Sequence, residues 1–316
     1  MMQTITFECE VITPMFLAGA DGVTPELRPA SIKGALRFWW RALNGHLGLD
    51  EMRRIEGNVF GSTSQRSALI IMIEQHLRYD GVSKKSLLPH KGGSTTPNFS
   101  INESFTLKLS LTREDRGMDI GGVKSLFILT CVLGGLGKRS RRGFGGFKIN
   151  KIKQNNMDWI DYNMPSDLGS IFSLLPSAYF KNDSITNSIT SNFSKNEEYP
   201  YIKQIEIGRS FDDLPKEIIN ASHEVKEKEY DRAEQEAKDR NDFFENRKTN
   251  QREPNSKKYS NFEGAIGDGA KRYASPIYVS VLGDKPIITT LNHVPPNNRI
   301  FPSHTTLQTE FKNKLK

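Results

Sequence analysis

Lys33, Arg37 and Arg41 repeat at a spacing of four residues. On a helix they fall at about 0°, 40° and 80°, forming one continuous basic stripe. Ile32, Leu36, Trp39, Leu43 and Leu47 occupy a separate apolar arc, and Trp40 sits on the border between the two. No acidic residue stands between Ser31 and Leu49. Cations sharing a face repel one another unless an anion lies opposite, either ligand phosphates or carboxylates from elsewhere in the chain. Phosphate is the expected counterpart. Trp40 is expected in a core or an interface, with base stacking as its other use.

A second cationic element lies at residues 134–147, GGLGKRSRRGFGGF, where Lys138, Arg139, Arg141 and Arg142 are set among six glycines. Glycine lets backbone N–H groups approach phosphates closely, and arginine adds bidentate contacts. The stretch is not a Walker A loop, because Val132 and Arg139 stand where that motif needs Gly and Ser/Thr. Nor is it a dinucleotide-binding loop, since Ser140 replaces the third glycine. The expectation is a flexible cationic loop beside the basic helix.

Two residues could do acid–base chemistry on RNA. Asp21 lies in the loop AGADG and His46 at the end of the basic helix. For Asp21 a turn-capping carboxylate is the simpler use, and for His46 a structural place at a helix end. The remaining Cys and His residues are scattered, without C-x-x-C or H-E-x-x-H spacing, so no metal site and no cofactor is expected.

These groups need a scaffold. Residues 3–13 alternate apolar and polar, a half-buried strand. A helix is predicted from Ser31, as N-cap, to about Leu47, and a second over about 50–60. Strands follow at 67–76 and 104–112, with a loop at 80–100 between them, then an apolar helix at 121–133 and a strand at 147–152. The order is β-α-β-β-α-β, a ferredoxin-like, RRM-like α+β unit over residues 1–154. That fold hosts many functions and does not by itself assign one.

Residues 155–316 are expected to form a second domain. Residues 181–198 read as a polar surface loop. Residues 224–258 hold 20 charged residues in 35, within an expected charged helical insertion at about 216–258. A hairpin turning at Gly283-Asp284 and a helix near 303–316 close the chain. A second, degenerate ferredoxin-like domain is compatible with this pattern.

Composition narrows the function classes. The chain has 316 residues, a formal net charge of +7 and two cysteines, Cys9 and Cys131. Residues 1–150 carry 20 Lys/Arg against 13 Asp/Glu, whereas residues 151–316 carry 24 of each. The whole positive excess therefore lies in the first half, which points to a polyanionic partner there. Two cysteines exclude a disulfide scaffold. The N-terminus lacks a signal-peptide pattern and the longest apolar run is too short to span a bilayer, so a cytoplasmic protein with no membrane partner is expected.

The residues at 13–43, TPMFLAGADG and PELRPASIKGALRFWWRAL, resemble the RAMP superfamily, and within it the head subunit of the type III-B CRISPR effector, the Cmr complex. The signature is carried by Arg28, Pro29, Ser31, Ile32, Lys33, Gly34, Leu36, Arg37, Phe38, Trp39, Trp40, Arg41 and Ala42. Asn58–Ser62 resembles an N-x-F-G-S block, Gly135–Gly145 the glycine-rich loop, and Lys271–Pro276 a late R-x-x-S-P segment. The resemblance implies two ferredoxin-like domains and a non-catalytic subunit in antiviral defence. It would hold the 3′ part of the CRISPR RNA and its duplex with target RNA, beside other RAMP subunits, with no small-molecule substrate. Lys33, Arg37, Arg41, Lys138, Arg139, Arg141, Arg142 and Trp40 are the expected RNA-binding residues. The alternative is a RAMP endoribonuclease using Asp21 or His46.

Overall fold

The computed structural model describes residues 2–86, 95–114, 118–193, 198–225, 266–267, 271–272, 275–292 and 302–316. Within them lies a mixed α/β fold with two five-stranded antiparallel sheets.

The first sheet is built from β1 (Gln3–Val11), β2 (Leu69–Gln75), β5 (Ser104–Leu111), β6 (Phe147–Gln154) and β7 (Ile160–Asp161). Between β1 and β2 run helices α1 (Pro29–Leu43) and α2 (Leu49–Phe60). A small hairpin, β3 (Lys84–Ser86) with β4 (Thr95–Pro97), precedes β5, and α3 (Ile120–Leu133) joins β5 to β6. The sheet order is β2-β5-β1-β6-β7. On β1 the alternation is realised: Ile5, Phe7, Cys9 and Val11 are buried at 1% exposure or less, while Glu8 and Glu10 face the other way.

The second sheet has the order β13-β14-β10-β9-β8, from β8 (Phe180–Asp183), β9 (Ser188–Ser191), β10 (Ile202–Ile207), β13 (Ile277–Leu282) and β14 (Lys285–Leu291). Helix α4 (Leu168–Phe172) precedes it, α5 (214–225) follows β10, and α6 (Pro302–Leu315) follows β14. Two-residue strands β11 (Ile266–Gly267) and β12 (Lys271–Arg272) pair separately. In a β-α-β-β-α-β unit starting at β10, a strand after α6 would lie beside β10. That place is held by β9, which comes earlier in the chain.

Three local expectations are corrected. Helix α1 begins at Pro29, two residues before Ser31, because proline's missing N–H costs nothing at the first helical position. It ends at Leu43, short of Leu47: the Asn44 side chain turns back to the Trp40 carbonyl at 2.7 Å, and the Tyr199 hydroxyl sits 2.7 and 2.6 Å from the carbonyls of Asn44 and Leu47. The polar stretch 181–198 contains the β8–β9 hairpin. Asp183 caps its turn through the Ile185 and Thr186 N–H groups, Asn187 takes a positive φ, and Ile189 is fully buried. Most of the charged run 224–258 lies outside the described residues.

Helix α3 has no polar side. Its buried residues face in every direction, because it packs on β1, β5 and β6 of the first sheet and on β13 and β14 of the second. The Ser280 hydroxyl donates to the Val132 carbonyl at the end of α3. The two sheets are thus joined through one shared apolar helix.

Candidate nucleic-acid interface

Helix α1 turns its basic stripe toward α2. The partner is a residue that reading the helix alone did not supply: Glu56 of α2, whose side chain is 2% exposed. Arg41 grips it bidentately, Nε to Oε1 and Nη2 to Oε2, both at 2.8 Å. Arg37 Nε donates to the same Oε1. The arginine side chains remain 39% and 40% exposed. Lys33 Nζ donates to the Ser67 hydroxyl at 3.0 Å, and burial together with the Arg37 charge pulls its pKa down. Two arginines therefore share one carboxylate while Lys33 bonds a neutral hydroxyl, and the stripe keeps an excess of positive charge. A sign of Glu56 was present in the sequence: it lies on the stripe of Met52, Val59 and Phe60, the buried side of α2.

Gly34 stands on the exposed side of α1, one turn from Arg37, and a Cβ placed there would meet nothing within 4 Å. Its helical backbone needs no glycine. Gly34→Ala is expected to raise stability by about 0.5–1 kcal/mol, from the difference in helix propensity. Thermal unfolding of the two chains checks this, and a loss of stability would mean that the position has a packing role in the free protein.

Trp40 is 4% exposed and packs edge-on against Phe60, with centroids 6.1 Å apart. It lies in the core and offers no face to a base. Trp39 is likewise buried, edge-on to Phe38 and Tyr278.

The glycine-arginine loop differs from the flexible element expected. Several of its backbone donors are used within the fold: Leu136 N–H on Gly145 O, Lys138 on Phe16 O, Gly143 on Val279 O, Gly145 on Pro14 O and Gly146 on the Thr13 hydroxyl. Val279 N–H returns to Arg141 O, and Arg142 pairs with Val279 as a parallel bridge. The loop thereby adds to the free edge of β13, clasping the second sheet. Its glycines sit at close contacts, where a Cβ would stand 3.0 Å or less from a neighbouring atom. Arg142 is buried at 5% exposure, donates to the carbonyls of Arg141 and Ile277 at 2.9 Å, and lies over the Phe311 ring. Burial, with Arg141 and Arg139 close by, draws its pKa down. Arg142 is thus withdrawn from any surface site.

Lys138 is exposed, while Arg139 and Arg141 are half-buried. Arg139 adopts φ 60°, and Arg141 lies 4.8 Å over the Tyr278 ring. Among the described residues none of these three pairs with a carboxylate. The loop and the α1 stripe occupy different sides of α1: Phe38 and Trp39 face Tyr278, whereas Arg37 and Arg41 face α2.

Asp21 is a turn residue. Its carboxylate accepts from the Thr24 hydroxyl and from the N–H groups of Val23 and Thr24, which hold its pKa low. His46 stacks on Tyr179, centroids 3.8 Å apart and 11° from parallel, and burial lowers its pKa. Its Nδ1 has no hydrogen-bond partner among the described residues.

On β1, β5 and β6 the face opposite the core carries Thr, Ser, Glu, Asn and Lys. Glu10–Lys148 at 3.0 Å and Glu8–Lys151 at 3.8 Å tie it together. Those strands offer no ring on which a base could stack, unlike an RRM sheet. Among the described residues no helix is long and apolar enough to cross a membrane, and no three His, Cys, Asp or Glu side chains are grouped to hold a metal ion.

Residues 8–148 match the RAMP superfamily. The Cmr subunit Cmr1-2 of the CRISPR system of Pyrococcus furiosus is 27% identical over 187 residues, covering 48% of this chain and 98% of that protein. Cmr1-1 of the same organism is 32% identical over 182 residues, and the match spans about half of each, 52%. The apo crystal structure of Cmr1 from P. furiosus aligns over 99% of this chain and 97% of its own, with a TM-score of 0.52 at 17% identity. A chain of the cryo-EM structure of the Type III-B Cmr-beta bound to cognate target RNA aligns over 100% of both, with a TM-score of 0.56 at 13% identity. At such identities the solved structures speak to the fold, and the sequence matches speak to descent. The signature helix and the glycine-rich loop lie inside the residues that match the RAMP superfamily, and the chain is similar to Cmr1 subunits.

Proposed function

We propose that this protein is a Cmr1-type, RNA-binding subunit of a type III-B CRISPR ribonucleoprotein. In this reading it is cytoplasmic and non-catalytic, and holds the 3′ part of the CRISPR RNA and its target duplex at the head of the complex, against neighbouring RAMP subunits. Residues 1–154 and 155–316 are read as two ferredoxin-like domains. The first matches that unit in strand order, and the second has β9 in the fourth strand's place.

The observation that carries the proposal is the α1 stripe. Arg37 and Arg41 stay about two-fifths exposed while anchored from beneath, and Lys33 extends the same face. An excess of fixed positive charge on a surface is what phosphate binding requires. Lys138, Arg139 and Arg141 add a second group of cations at the clasp. Arg142 and Trp40, being buried, are left out of the site.

Lys33→Ala with Arg37→Ala leaves the bidentate Arg41–Glu56 pair in place and so tests the stripe without stranding the carboxylate. Affinity for single-stranded RNA is expected to fall whatever the base sequence, and the salt slope to drop by about 0.7 for each phosphate no longer neutralised. Titration of a labelled RNA at several salt concentrations measures both. Unchanged affinity and slope would overturn the RNA reading in favour of docking on an acidic protein surface.

A further inference from the structure

We infer that Glu56 is a positioning residue: its buried carboxylate aims Arg37 and Arg41 outward as a preset pair for backbone phosphates. The inference rests on the RNA reading of the α1 stripe and deepens it.

The fold gives little reason to keep a carboxylate there. Glu56 is 2% exposed, on the apolar side of α2 among Met52, Val59 and Phe60. Burying a charge is costly, and apolar groups of similar volume in place of a buried ion pair are often neutral or stabilising. What Glu56 does is geometric. One carboxylate takes Nε of Arg37 and both Nε and Nη2 of Arg41. Both guanidiniums are therefore held on their Nε edges. The Nη groups of Arg37 and Nη1 of Arg41 make no hydrogen bond among the described residues, and both side chains reach solvent. A free arginine must give up rotamer freedom to grip a phosphate, and one already held in place binds without that loss. Above this pair α1 is open at Gly34, so a strand can approach the helix closely.

The alternative role, plain charge neutralisation, makes the opposite prediction, which makes the test decisive. Glu56→Gln keeps the shape and adds one net positive charge. If Glu56 merely offsets charge, RNA affinity rises and the salt slope steepens. If it positions the arginines, affinity falls despite the added charge. We expect about a tenfold loss, as for one charge-assisted bidentate contact. The assay uses the full chain and a fluorescently labelled single-stranded RNA titrated at several salt concentrations, with thermal unfolding alongside. Should Glu56→Gln not fold, Arg37→Lys with Arg41→Lys makes the same test: charge is kept and the planar fork is removed. It too is expected to bind about tenfold more weakly, with the salt slope unchanged. Equal or tighter binding by either variant overturns the inference. A failure of the underlying reading looks different, because Lys33→Ala with Arg37→Ala would then leave RNA binding untouched.

Discussion

Alanine at both Arg37 and Arg41 is expected to destabilise the protein by about 3 kcal/mol, quite apart from any effect on RNA. The cause is Glu56. With both guanidiniums gone, a carboxylate of 2% exposure is left between α1 and α2 without a partner. Breaking a buried pair from one side costs about 3–5 kcal/mol. The low end applies, because the guanidiniums are 39% and 40% exposed and water can enter the space they vacate. The diagnostic is a rescue. Adding Glu56→Leu to the double variant removes the stranded charge and is expected to restore most of the stability, while RNA binding stays weak. Denaturant unfolding of the three chains measures this. If the triple variant is no more stable than the double, the destabilisation did not come from an uncompensated carboxylate. The practical consequence is that RNA assays on the double alanine variant would confuse unfolding with weakened phosphate binding.

Gly145→Ala is expected to be more severe still. The Gly145 backbone has φ +70° and is held on both sides: its N–H donates to Pro14 O at 3.0 Å and its carbonyl accepts from Leu136 N–H at 2.9 Å. A Cβ there would stand 1.8 Å from the Leu136 carbonyl oxygen. That clash is with backbone, so no side-chain rotation relieves it. Either the 134–137 segment leaves its place or the loop lets go of Pro14, and both also carry away the clasp on Val279. We expect a loss of about 4 kcal/mol or more, combining strain with a steric clash. In a chain of this size that is a fall of about 6 °C or more in the apparent unfolding midpoint. Gly22→Ala separates the two causes. Gly22 also has positive φ, +72°, but nothing lies within 4 Å of its Cβ position, so about 1–2 kcal/mol is expected. Similar midpoints for the two variants would show that the clash at Gly145 is relieved by movement of the loop.

The amino-acid sequence alone determined what periodicity can determine. Alternation on β1 sorted Ile5, Phe7, Cys9 and Val11 from Glu8 and Glu10, and the 3.6-residue period put Lys33, Arg37 and Arg41 on one face of α1. The apolar run 121–133 and the turn at Gly283-Asp284 were legible for the same reason: helices and hairpins are set by residues only a few positions apart. The tertiary structure decided what lies opposite. Glu56 is 15 and 19 residues from the arginines it holds, and only the packing of α2 on α1 brings it there. The glycine-rich run was visible, but its role was not. The N–H groups of Lys138, Gly145 and Gly143 go to Phe16, Pro14 and Val279, all distant in the chain, so the run folds into a clasp on the second sheet. Arg142 and Trp40 left the candidate site for the same physical reason. Charge and aromatic character are local properties, but whether a side chain meets solvent depends on the second sheet or the neighbouring helix closing over it.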